Sequence, residues 1–262
     1  MVTDGLLVAL RGPALGFEPL MRQPGLCHAV FTRRGGCSHP PFDGLNVAFG
    51  IGDPEDDVQR NRQWIEACLD NGPLLFMRQA HGSRVVCIHR DQPQQLARCL
   101  KTAPQADALV TNVTGVNMVA QTADCQPILF YDPVNRVAAA AHAGWRGSVA
   151  DIAGKTVAAM LHAFGSRPAH ILAVIGPSLG PCCAEFVNYR QELPPKFWDY
   201  RRQRVNFDFW AVTRDQLLEG GLRAEHIHIS RICTRCRQHS FFSYRRRPLT
   251  GRFASVIGLK DG

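Results

Sequence analysis

The sequence lacks several things, and each absence narrows the reading. No apolar run approaches the roughly 18 residues that a membrane-spanning helix needs. Residues 1–20 show no basic n-region and no apolar stretch followed by a small-residue cleavage site, so a cytoplasmic location is expected and no membrane partner. There is no internal repeat, no long linker and no long run of like charge. Basic residues cluster only briefly, at Arg201, Arg202 and Arg204 and at Arg245, Arg246 and Arg247, so no dedicated nucleic-acid module is expected. The chain has one CxxC, Cys233 to Cys236, and no second such pair, which leaves a conventional zinc knuckle incomplete. Adjacent Cys182 and Cys183 match poorly as that pair, so these cysteines read as buried structural thiols. His226-Ile227-His228 is the only HxH, where a conventional multicopper oxidase needs several.

What is present fits a folded chain of 262 residues, 45% of them hydrophobic. The formal net charge of +8 favours anionic ligands such as phosphate or nucleotides, or serves solubility alone. Ten cysteines without a secretory signal argue for free thiols or metal ligands, not a disulfide framework.

The central stretch is QTADCQPILFYDPVNRVAAAAHAGWRG, from Gln121 to Gly147. Strand-like runs at Pro127–Tyr131 and Val137–Ala141 flank a turn signal at Asp132-Pro133-Val134-Asn135. An antiparallel hairpin there would bring Cys125 and His142 to the same end of a sheet. Other strands are expected at Cys27–Thr32, Leu74–Met77, Val85–His89, Ala108–Thr111, Val116–Gln121, His170–Ile175, Ile227–Ile229 and Phe253–Ile257. A further short strand is expected after the Phe42–Val47 turn. Asp53-Pro54 reads as N-cap and first residue of a helix whose buried side is Val58, Ile65, Cys68 and Leu69. Ser148–Leu161 reads as one helix with a capping box from Ser148 and Asp151, and Asp208–Glu219 as another. Residues 90–105 are polar and carry no clear signal. The fold class predicted is α/β (α+β), a single domain over residues 1–262 with a mixed, largely antiparallel sheet.

His81, Cys125 and His142 each sit at a strand edge. Two imidazoles and a thiolate suit zinc, with a fourth position open to activate water or polarise a leaving group. The same atoms fit a second chemistry, Cys125 as nucleophile with His142 as its base. The bland alternative is a buried cysteine and two satisfied histidines. Asp124 is a candidate proton carrier or a turn carboxylate. Arg146 precedes the expected helix N-terminus after Gly147, where an anion such as phosphate would be favoured, or it is a surface arginine. Asn46 and Gln79 are candidate polar contacts to a base or ribose.

These motifs carry a resemblance. Gly44-Leu45-Asn46, Gln79-Ala80-His81-Gly82, Ala106-Asp107-Ala108-Leu109-Val110-Thr111, Ala123-Asp124-Cys125, HAGWRG and Phe241-Phe242-Ser243-Tyr244-Arg245-Arg246 are similar to those of the YfiH/laccase-domain proteins, also named for polyphenol oxidoreductase activity and peptidoglycan editing. The resemblance implies a layered sandwich like the cytotoxic-necrotizing-factor catalytic domain. It implies zinc, with copper as the alternative metal, on His81, Cys125 and His142, and a substrate wall that includes Cys183. It also implies phosphorolysis of adenosine, inosine and methylthioadenosine, and deamination of adenosine, so purine nucleosides and phosphate are the expected partners. The family often has an aromatic residue at position 184 and Cys at 178, where this chain has Ala184 and Ser178. Three rival functions stand beside the nucleoside enzyme: a cysteine amidase or deamidase acting on a peptidoglycan precursor, a copper polyphenol oxidoreductase, and a nucleotide-binding protein without catalysis.

Overall fold

The computed structural model describes residues 6–10, 12–69 and 71–261. In chain order its strands are β1 Leu7–Ala9, β2 Ala14–Phe17, β3 Leu26–Phe31, β4 Leu74–Phe76, β5 Val85–Ile88, β6 Ala108–Thr111, β7 Val116–Thr122, β8 Gln126–Asp132, β9 Val137–Ala143, β10 Leu172–Ile175, β11 Ile227–Ile229 and β12 Phe253–Leu259. Its α-helices are α1 Glu18–Met21, α2 Glu55–Leu69, α3 Pro93–Lys101, α4 Trp145–Val149, α5 Ile152–Phe164, α6 Tyr189–Glu192 and α7 Phe209–Glu219. The strands form two sheets, ordered β1-β2-β3-β12-β7-β4 and β11-β10-β8-β9-β6-β5. Both are mixed, with β4–β7, β5–β6 and β10–β11 parallel and the other pairs antiparallel. The expectation of one mixed sheet is corrected to two.

Strand periodicity explains the layering. Successive side chains point to opposite faces, so each strand contributes to two cores. In β8, Leu129 and Tyr131 face the space between the sheets, while Ile128 and Phe130 face α5 and α7. In β12, Phe253, Ile257 and Leu259 face the same inner space, while Ala254 and Val256 pack under α2 with Ile65. Helices thus cover the outer face of each sheet, and central strands buried on both sides read as nearly unbroken apolar runs. β9 is the extreme case: Ala138, Ala139, Ala140 and Ala141 are all fully buried. Their small side chains let the second sheet approach β7 and β12 on one face and α5 on the other.

The central hairpin forms as its turn signal demands. The Asp132 carboxylate accepts the amides of Val134 (2.9 Å) and Asn135 (3.3 Å), and Arg136 takes a left-handed φ of 50°. Register follows: Gln126 pairs with Ala143 and Pro127 with His142, so Cys125 arrives opposite Gly144.

Several local expectations are revised. The helix expected over Ser148–Leu161 is two helices, α4 and α5, because Asp151 adopts a left-handed φ of 56° and caps α5 by accepting the Gly154 amide. No anion-binding helix end therefore follows Gly147. Residues 90–105 contain α3, whose Leu96 and Cys99 pack against the core between the sheets. Asp53 does not cap α2; its carboxylate accepts from Ser38 (2.7 Å) and Asn46 (2.7 Å). Cys68 is exposed, and Asp57, Val58, Asn61 and Ile65 form the buried side of α2. The segment after Phe42–Val47 forms no strand. No helix among the described residues is long and apolar enough to cross a membrane.

Candidate functional site

The second sheet delivers its chemistry at one end. Cys125 enters β8, His142 closes β9, and His81 lies in the loop between β4 and β5. Their ligand-capable atoms all lie within 4.8 Å of one another. The His81 and His142 rings meet edge to face, with centroids 4.7 Å apart. Gly144 leaves the necessary room: a Cβ there would stand 3.0 Å from the His81 ring and 3.2 Å from the Cys125 sulfur. Small residues in HAGWRG are thus explained by close approach, since the Gly144 φ is −74°.

One residue holds this arrangement, and the sequence reading gave it no role. Asp107, fully buried at the entrance of β6, accepts the amides of His81 (2.9 Å) and Gly82 (2.8 Å) and contacts His142 Nδ1 (3.0 Å). Its own amide and carbonyl continue the sheet, with the carbonyl accepting the His142 amide at 2.7 Å. It holds His81 through its amide at a left-handed φ of 57° and occupies His142 Nδ1, leaving Nε2 as the free ring nitrogen. Burial works to raise the Asp107 pKa, but the His142 hydrogen bond and the two amides outweigh it and hold the carboxyl below its usual range. The signal in the sequence was a lone carboxylate opening an apolar strand.

The electrostatics couple thiol and imidazole. Burial alone would raise the Cys125 pKa, but His142 and His81 pull it down to about 6. Burial alone would lower that of His142, but Cys125 and Asp107 lift it to about 9. Each group thus favours the charged form of the other, biasing the metal-free pair toward a thiolate beside an imidazolium. Two imidazoles, a thiolate and a carboxylate behind one imidazole form a donor set that fits zinc, with the fourth side facing a cavity. A histidine-rich copper array is not found among the described residues, where both clusters able to hold an ion contain thiols.

The cavity above these groups measures about 860 Å³. Phe49, Trp145, Phe186 and Tyr244 contribute aromatic surface, and Arg146, Arg245 and Arg252 contribute cationic groups. Gln121, Thr122 and Gln126 also line it, the Gln126 side-chain amide donating to the Phe209 carbonyl at 3.0 Å.

The other predicted residues separate. Gln79 lines the cavity, although its amide is engaged with the Gln121 backbone at 2.8 and 2.9 Å. Asp124 lines it too, at a left-handed φ of 89°, with one oxygen accepting from Thr234 and the other from the Arg245 amide, both at 2.6 Å. Arg146 is an exposed residue of α4, its guanidinium over the Trp145 ring. Asn46 is fully buried outside the cavity, holding Asp53, the Ala48 backbone and the Arg252 amide. Cys183 also lies outside the cavity, its sulfur 3.5 Å from that of Cys236. Buried thiols were expected at Cys182, Cys183, Cys233 and Cys236. Cys183 and Cys233 are buried, but Cys182 and Cys236 are exposed, and all four sulfurs converge.

The family model described as multi-copper polyphenol oxidoreductase laccase matches residues 27–260. The chain belongs to that family. It is 35% identical to the purine nucleoside phosphorylase YlmD of Bacillus subtilis, over 88% of this chain and 87% of that one. It is 34% identical to the purine nucleoside phosphorylase YfiH of Escherichia coli, over 92% and 97% respectively. Among solved structures, YlmD of Geobacillus stearothermophilus superposes with a TM-score of 0.85 at 31% identity, covering 98% of this chain and 100% of that one. This laccase-like family therefore includes members named for purine nucleoside phosphorolysis, and the thiol-containing centre is unlike the histidine array that its copper name suggests.

Proposed function

We propose that the cavity binds a purine nucleoside and phosphate and catalyses phosphorolysis to the free base and ribose 1-phosphate, with adenosine, inosine and methylthioadenosine as substrates. One observation supports this most: the His81–Cys125–His142 centre, aromatic surface and three arginines share one cavity. The aromatic rings offer stacking for a flat base. Arg146, Arg245 and Arg252 offer charge-assisted hydrogen bonds to phosphate.

The chemistry is a displacement at C1′. A phosphate oxygen forms the new C1′–O bond as the C1′–N9 bond breaks, and the electron pair leaves with the base, which takes up the proton that the hydrogen phosphate gives up. The arginines hold and orient the nucleophile. Zinc held by His81, Cys125 and His142 would supply Lewis acidity and a means to activate water, the chemistry that adenosine deamination, proposed as a second activity, requires. Asp107 keeps both histidines oriented as ligands. Asp124, anchored to Thr234 and Arg245, fixes the loops that wall the cavity and stays a candidate for proton transfer. We place the reaction in the cytoplasm.

A second reading has its own support. Cys125, His142 and Asp107 align as thiolate, imidazolium and orienting carboxylate, the order found in cysteine hydrolases. Metal dependence separates the two. The nucleoside reading predicts phosphate-dependent adenine from adenosine that disappears on metal removal and returns with zinc. Turnover of an amide substrate by the stripped protein, with none of adenosine by the zinc-loaded one, would favour the cysteine amidase.

A further inference from the structure

A second cluster of metal-ligating side chains lies outside the cavity. Cys182 and Cys183 come from the loop after β10, Cys233 and Cys236 from the loop after β11. Their sulfurs all lie within 4.8 Å of one another, with Cys183 to Cys236 at 3.5 Å and Cys182 to Cys236 at 3.7 Å. Four sulfurs around one tetrahedral ion at a Zn–S distance of about 2.3 Å stand about 3.8 Å apart. A disulfide would instead draw one pair to about 2.05 Å and leave the others outside. Gly180 makes the approach feasible: a Cβ there would stand 2.7 Å from the Trp210 ring and 3.1 Å from Cys233 Cβ.

We propose that Cys182, Cys183, Cys233 and Cys236 bind a second, structural zinc ion, distinct from the His81–Cys125–His142 centre. With all four positions taken by thiolates, no site remains for water or substrate, so the ion acts as a brace. What it braces is specific. The two loops otherwise meet through the Ser178–Cys233 bridge and the hydrogen bonds Ser178 N–H to Ile232 O and Thr234 N–H to Ser178 O, both 3.1 Å. The same loops grip Asp124, Leu179 through its amide at 2.8 Å and Thr234 through its hydroxyl at 2.6 Å. The brace therefore secures one wall of the cavity from behind. The adjacent Cys182-Cys183 pair can serve as two ligands because the turn at 181–183 lets both sulfurs reach the CxxC, a geometry that sequence spacing does not reveal. This inference is independent of the nucleoside reading.

The test counts and types the metal in the full chain purified under reducing conditions. Elemental analysis should find about two zinc ions per chain. Cys233→Ser with Cys236→Ser should lose about one and keep the other, and Cys125→Ala should lose the complementary ion. Cobalt exchanged into Cys125→Ala should give the thiolate-to-metal charge-transfer and d–d bands of a tetrahedral tetrathiolate. That spectrum decides the matter even if the double serine variant fails to fold, because Cys125→Ala leaves all four thiols in place. No tetrathiolate spectrum, intact masses showing disulfides among these cysteines in the reduced preparation, or iron in place of zinc would overturn the assignment.

Discussion

The two sheets bury a histidine each and use it in opposite ways. In the first sheet, His28 on β3 accepts the Phe17 amide on Nε2 at 2.8 Å and has no carboxylate partner among the described residues. Burial pushes its pKa down to about 4, so it is neutral at pH 7. In the second sheet, His142 on β9 is equally buried but faces Asp107 and Cys125, and its pKa rises to about 9. Burial alone does not decide charge; the partners do. The difference extends to neighbouring polar groups. In the first half of the molecule, Ser38, Asn46, Asp53 and Asn61 bond to one another, and Asn71 pairs with Asn117 at 3.0 Å. In the second, Asp107 holds His142 and the His81 backbone, and His81, Cys125 and His142 all line the cavity. Polar residues that close on themselves hold a fold together, and those left open toward a cavity do chemistry.

This contrast can be broken most severely at the metal ligands. His81→Ala or Cys125→Ala should cut adenosine phosphorolysis about 10³-fold, equivalent to about 4 kcal/mol of transition-state stabilisation, as measured by single-turnover product formation. Asp107→Asn removes the carboxylate that orients both histidines. It should lower metal affinity or activity about 10–100-fold, read by competition with a zinc chelator.

The first sheet gives a smaller, pH-dependent effect. The unfolded chain binds a proton at His28 near pH 6.5, the folded chain only near pH 4. Between these values the unfolded state holds more protons, so stability rises with pH. The contribution is fully present above pH 6.5, falls by about 2 kcal/mol at pH 5, and is lost as pH drops through 4. His28→Gln, which retains an acceptor for the Phe17 amide, should flatten that dependence in urea melts and leave activity at pH 7.5 unchanged. Arg146→Ala should have the least effect, raising the KM for phosphate about tenfold with kcat nearly constant. An unchanged phosphate KM would remove Arg146 from the phosphate site.

Local signals in the sequence located Cys125 and His142 well. A hairpin needs only a turn and two alternating runs, and its register alone brings those residues together. His81 joined them through its motif, not its spacing. The presence of a second sheet was not legible, because β3–β12 and β4–β7 pairings join segments far apart in the chain. Asp107 was missed for a related reason: its partners lie 26 and 35 residues away. The helix break at Asp151 was hidden because Ser148 and Asp151 imitate a capping box, whereas a left-handed φ at Asp151 starts a new helix. Asn46 looked like a ligand contact because it is polar in a turn, and its burial against Asp53 and Arg252 appears only once the chain is folded.

The central claim is that the His81–Cys125–His142 centre cleaves purine nucleosides with phosphate. The most direct test is chromatographic product analysis of metal-quantified protein given adenosine with and without phosphate, with His81→Ala beside it. Adenine that requires phosphate in the wild type and vanishes in the variant is the predicted result. No product from zinc-loaded wild type, or equal adenine from both proteins, would contradict the account.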